Sequence, residues 1–157
     1  MKTKKDFLAK YDKIVKDITK RVNHVNRGGC GVYASLLGEE LKKTKVKFEY
    51  VILFRGSIDK YDNEEIENGI ANNDVDTINQ YAWTHVMIKL NNRKFIDGEG
   101  VYPSAQMSGK KLKHKEISEE LLNGMLDKTY IWNPMFKRQT EKRKIKKILE
   151  KHLEITK

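Results

Sequence analysis

An α+β fold follows from three features of the chain: amphipathic helical runs at both ends, a further helical run starting at Cys30, and two β-rich runs joined by Asn91-Asn92. In the first run, Phe7, Leu8, Tyr11, Ile14, Val15, Ile18 and Val22 recur at helical spacing among lysines, and Thr3 with Asp6 stands where a capping box would open a helix. The spacing predicts a helix over 4–22 with a buried stripe. The second helix is expected from Cys30 to about Lys43, with Tyr33, Leu36, Leu37 and Leu41 on its apolar side and Glu39, Glu40, Lys42 and Lys43 toward water.

Residues 46–54 begin by alternating and end in the apolar run Tyr50-Val51-Ile52-Leu53-Phe54, the pattern of a strand entering a sheet. From Gly56 to Ala82 the chain carries a net charge of −6 and is rich in asparagine, which predicts one or two short helices within a solvated connection. Trp83–Leu90 and Arg93–Asp97 read as a hairpin around Asn91-Asn92. Pairing Met87 with Phe95 and Val86 with Ile96 sets His85 directly opposite Asp97, with Cβ atoms about 5 Å apart. A slip of one residue would send the two to opposite faces.

Gly98–Ser104 is turn chemistry, and Ile117 with Leu122 would staple a helix capped by Ser118. Tyr130-Ile131-Trp132-Asn133-Pro134 is an aromatic stretch expected to pack on the core. Residues 137–157 hold nine basic and three acidic side chains, with Ile145, Ile148, Leu149 and Leu153 at helical spacing, so a basic amphipathic helix closes the chain. The 157 residues are read as one domain, its core over about 25–134 and the basic helix over 137–157.

Lysine and arginine number 32 against 22 acidic residues, a net charge of +10, which suits nucleic acid, an anionic surface or an acidic macromolecular substrate and does not choose among them. One cysteine excludes an internal disulfide framework or a multi-thiolate zinc site and fits a reducing compartment. Met1–Asp6 leads into alternating apolar and charged residues rather than a secretory core, and the longest apolar run falls far short of the ~20 residues of a membrane span. The expectation is a cytoplasmic protein, off the membrane, without metal or cofactor.

The chemistry centres on Cys30, in Gly28-Gly29-Cys30-Gly31 at a helix start, where free backbone N–H groups and the positive dipole end favour a thiolate. A lone cysteine is more often a small buried hydrophobe, with His85 then a plain strand residue and Asp97 a turn residue. What points elsewhere is the order Cys30, His85, Asp97, which supplies nucleophile, base and orienting carboxylate. The Cys30 backbone N–H and a side chain from Asn26, Asn23 or Gln80 would meet an oxyanion. Gly28, Gly29 and Gly31 would use positive φ and let a substrate approach, with Trp83 beside them along the cleft. Glu99 is the alternative orienter. His24 suits a helix end, and His114 and His152, among lysines, read as solvated. The residues around His85 offer no second histidine at ligand spacing, so no metal site is expected.

The segments Gly28-Gly29-Cys30-Gly31-Val32-Tyr33-Ala34, Trp83-Thr84-His85-Val86-Met87-Ile88 and Lys94-Phe95-Ile96-Asp97-Gly98-Glu99-Gly100 resemble the papain-like and transglutaminase-like cysteine hydrolase superfamily. The resemblance covers residues 25–103. It implies a minimal member with a central helix bearing the nucleophile Cys30, His85 as base on the following sheet and Asp97 as orienter one strand later. It also implies hydrolysis or acyl transfer at a peptide, isopeptide or side-chain amide of a protein or peptide substrate. Two readings compete: a nucleic-acid-binding module using Lys142, Arg143, Lys144, Lys146 and Lys147, and a catalytically inactive interaction protein on the same fold. Interleaved aromatics and binding motifs are missing from the basic run, which weighs against the first.

Overall fold

In the computed structural model, which describes residues 4–22, 25, 29–81, 83–90, 94–128 and 139–153, helices collect on one side of an antiparallel sheet. The described elements are α1 (Lys4–Arg21), α2 (Cys30–Leu41), β1 (Phe48–Phe54), α3 (Lys60–Ala71), α4 (Val75–Ile78), β2 (Trp83–Leu90), β3 (Lys94–Asp97), β4 (Gly100–Tyr102), β5 (Gln106–Met107), β6 (Lys110–Lys111), β7 (Lys113–Ile117), α5 (Glu119–Lys128) and α6 (Gln139–Leu153). The main sheet has the order β4-β3-β2-β1-β7, and β5 pairs with β6 in a separate small ribbon. The α+β class expected from the sequence is the one observed.

Side-chain alternation along the central strands makes two apolar layers. Ile52, Phe54, Val86, Ile88, Leu90 and Ile96 join the helix-side core, while Val51, Leu53, Met87 and Phe95 form a second cluster with Ala105, against which Tyr102 and Leu112 pack. Strands buried on both faces lose strict polar alternation, which is why β1 ends in a continuous apolar run. Helix α2 is buried along most of its circumference and contacts β1, β2, β3, α5 and α6. Helix α1 packs on α6, and the stripes Phe7, Tyr11, Ile14, Ile18 and Ile145, Ile148, Leu149, Leu153 are buried in the same core. A hydrogen bond between His152 and Asp17 fastens the two helices and holds the Asp17 carboxyl below its ordinary range, so His152 is not a solvated side chain.

Several expectations need correction. Glu40 does not face water: it is 1% exposed, with both carboxylate oxygens 3.2 Å from Lys43 Nζ. Residues 56–81 hold the two short helices expected, but these pack on the core rather than forming a solvated connection. Asp59 and Asp74 cap α3 and α4, whose Ile66, Val75 and Ile78 are buried in the core. Lys115 pairs with Glu67 at 2.9 Å and Asn73 with Glu120 at 2.9 Å, tying this region to β7 and α5. Gly98–Ser104 is not wholly turn: Gly100–Tyr102 pairs with β3 as β4. Strands β5 to β7 carry no strand signal in the sequence: β5 and β6 are two residues each, β6 and β7 are rich in lysine, and β7 borders the sheet beside β1. His114 on β7 is half-buried with its ring 5.1 Å from that of Phe95, and burial, with Lys89 nearby, lowers its proton affinity. Ser118 accepts the Leu121 N–H at 3.0 Å, the cap expected for α5. The Asn91-Asn92 turn, the 130–134 stretch and the residues expected to open the C-terminal helix before 139 lie outside the described residues.

Gly38 shows how closely α2 sits on β1. A Cβ there would overlap the Tyr50 hydroxyl, which is buried and has no hydrogen-bond partner among the described residues. In an open helix, alanine in place of glycine would be favoured by about 1 kcal/mol. Here overpacking dominates, so Gly38→Ala is expected to lower stability by about 1–3 kcal/mol, read as a shift in urea midpoint with an unchanged slope.

Candidate active site

Cys30 is the first residue of α2, and its N-cap Gly29 makes no side-chain cap and has φ −113°. The first turn of α2 contains no acidic residue. The sulfur thus stands at the positive end of a helix without a competing carboxylate in that turn. Gly29 is not in the left-handed region and Gly31 belongs to the helix, so neither uses the positive φ expected of it. Cys30 is 5% exposed.

His85 and Asp97 come from neighbouring strands, but not as a directly opposed pair. The observed register pairs Ile88 with Ile96 and Lys89 with Phe95, two residues away from the expected Met87–Phe95 and Val86–Ile96 pairing. A shift of two keeps every side chain on its face, whereas a shift of one would not. His85 and Asp97 are therefore diagonal neighbours, a separation that long side chains still bridge. The Nε2–H of His85 donates to Asp97 Oδ2 at 2.9 Å, with the two residues 1% and 5% exposed. A β-bulge in the β1–β2 ladder lies just before His85, between the Leu53–His85 and Phe54–Trp83 pairs.

The other oxygen of Asp97 holds the turn between β3 and β4. Oδ1 accepts the backbone N–H groups of Glu99 at 2.8 Å and Gly100 at 3.1 Å. Glu99 itself is exposed and contributes its amide, which leaves Asp97 as the carboxylate that meets the imidazole. The main-chain oxygen of Asp97 is also fixed: the Tyr11 hydroxyl donates to it at 2.6 Å. Tyr11 has only one proton to give, so the 2.7 Å contact between the two hydroxyls has Tyr33 donating to Tyr11. Burial raises both phenols above their ordinary range, which keeps them neutral donors. Neither tyrosine stands out in the sequence beyond apolar helical spacing. The only available signal is chemical, since a buried tyrosine hydroxyl needs a partner.

Electrostatics favour the cationic ring. Burial disfavours imidazolium, yet Asp97 and Cys30 together outweigh it, and His85 is pushed up to about 10. Nδ1 makes no hydrogen bond among the described residues, so with Nε2 on Asp97 it is the nitrogen left free to meet the sulfur. Such an arrangement can hold a thiolate beside an imidazolium and later return the proton to a leaving group.

The other sequence candidates are more scattered. Trp83 is 7% exposed and donates its indole N–H to Asn79 Oδ1 at 2.9 Å. Gln80 is exposed in the turn after α4, with its backbone N–H on the Thr77 carbonyl at 3.2 Å. Asn23, His24, Asn26 and Gly28 lie outside the described residues. Among the described residues there is no cluster of three or more histidine, cysteine or acidic side chains able to hold a metal, and no helix long and apolar enough to cross a membrane. Comparison with family models, curated proteins and solved structures yields no match.

The raised His85 value has a consequence for stability. Its ordinary value is 6.5, so protonation of the folded ring stabilises in full below about 6.5 and is lost as pH rises through about 10. The urea midpoint should fall across that window, and His85→Gln should remove that part of the fall.

Proposed function

We propose that this protein is a cysteine-dependent hydrolase or acyltransferase acting on a peptide, isopeptide or side-chain amide bond. The observation that carries the reading is a buried imidazole bonded at 2.9 Å to Asp97, whose charged form Cys30, the first residue of α2, further favours. A helix bearing the sulfur, packed on an antiparallel sheet that supplies histidine and then aspartate in chain order, supports a minimal papain-like or transglutaminase-like core.

In this scheme the Cys30 thiolate attacks the carbonyl carbon, and the π electrons move onto oxygen. Backbone N–H groups at the start of α2 would meet that oxyanion. The tetrahedral intermediate collapses to a thioester as the His85 imidazolium protonates the departing amine. Water or an acceptor amine then attacks the thioester while neutral His85 takes its proton, restoring the thiolate and imidazolium. Asp97 keeps the ring oriented and favours its charged form throughout.

The exposed lysines and arginines of α1 and α6, including Lys13, Lys20, Arg143, Lys144, Lys146 and Lys147, suit an acidic polypeptide substrate. A single thiol that must stay reduced suits the cytoplasm.

Iodoacetamide and an electrophilic acyl probe test the reading. Both are expected to modify Cys30 in the folded protein at neutral pH, and His85→Ala should slow modification by about a hundredfold. Cys30→Ser should fold and show neither labelling nor turnover. A native protein whose sulfur is inert, or reacts at the same rate without His85, would overturn the proposal.

A further inference from the structure

Cys30, His85 and Asp97 belong to three elements, α2, β2 and β3, and something must hold those elements in register. The Asp97 side chain is accounted for by His85 and the β4 turn amides. Its main chain is held from elsewhere. Asp97 pairs with Gly100 at the last position of the β3–β4 ladder, and its carbonyl takes its hydrogen bond from the Tyr11 hydroxyl on α1. That hydroxyl is in turn the acceptor for Tyr33, three residues beyond Cys30 on the same helix.

A continuous circuit of hydrogen bonds results. It runs from Tyr33, on the helix that begins at Cys30, to Tyr11 on α1, to the Asp97 backbone and through the Asp97 carboxylate to His85. Tyr11 is 0% and Tyr33 1% exposed, so solvent offers neither hydroxyl a substitute partner. Both rings are packed in the apolar core, so each oxygen has little freedom to follow a moving carbonyl.

We infer that Tyr11, with Tyr33 behind it, is a positioning residue: the pair fixes the backbone of Asp97 relative to the helix that bears Cys30, and so sets the imidazole against the sulfur. The inference rests on the cysteine-hydrolase reading. Neither tyrosine need touch a substrate. Packing alone could be kept by phenylalanine, whereas the hydroxyl circuit could not.

The test compares wild type, Tyr11→Phe, Tyr33→Phe, His85→Ala and Asp97→Asn. Three measurements are made on each: thermal midpoint, the pH profile of Cys30 alkylation by iodoacetamide, and the NMR titration of the His85 ring where it is present. Tyr11→Phe strands both the Asp97 carbonyl and the Tyr33 hydroxyl, so a lower thermal midpoint is expected whatever its role. The discriminating readouts are the other two. Tyr11→Phe should move the His85 titration down by about one pH unit and slow alkylation at pH 7 by about tenfold, in the direction of Asp97→Asn. Tyr33→Phe should do the same to a smaller degree. Because it leaves the Tyr11–Asp97 bond in place, it serves where Tyr11→Phe fails to fold.

If the tyrosine variants are merely less stable, with the His85 titration and alkylation profile of wild type, the inference falls while the hydrolase reading stands. If alkylation in wild type is already indifferent to His85→Ala, the hydrolase reading falls and takes the inference with it.

Discussion

A charged imidazole and a carboxylate, both almost fully removed from water, are the constraint around which the fold is arranged. Taking such a pair out of solvent costs several kcal/mol per ion unless the geometry is close and the remaining hydrogen-bonding capacity is filled. Here Asp97 satisfies His85 with one oxygen and two backbone amides with the other. This requires the β2–β3 register, the tight turn at Gly98-Glu99 and the pairing of β4 to be correct together. The pair is thus less a contribution to stability than a condition that the sheet has to meet.

Helix α2 supplies the other half of that condition. Apolar on most sides and touching the sheet, α5 and α6, it has few ways to slide or rotate without opening voids. The glycine at 38 permits its approach to Tyr50, and α6 packs against both α2 and α1. A sulfur on its first turn is consequently presented by a closely packed element.

Much of this could be read from the residues. Helices at both ends, the helix starting at Cys30 and the 83–97 hairpin each carry a long periodic or alternating signal, and the chemistry-bearing residues sit on those elements. The register differs by two positions because matching apolar residues across the hairpin favours Met87 with Phe95, whereas the sheet sets Lys89 opposite Phe95 and keeps only Ile88 with Ile96 as an apolar pair. The face assignment survived because a two-residue shift preserves parity. Strands β6 and β7 were illegible since their lysines mark solvent, and β5 because two residues carry no alternation; pairing there is decided by the partner strand, not by local composition. The tyrosine circuit was illegible for a different reason: it joins residues 11, 33 and 97, and helical spacing says which way a ring faces but not what its hydroxyl meets.

The border strand β7 has a further consequence. Lys113 and Lys115 sit on it, reaching the Ile58 carbonyl and Glu67 respectively, so the region ahead of and within α3 is tied to this strand. An incoming chain that sought to lengthen the sheet by a sixth strand would have to displace those links and desolvate ammonium groups, a standard defence against runaway intermolecular β-pairing. The charge that makes this strand hard to recognise in the sequence thus also protects the molecule from polymerising through its own exposed backbone.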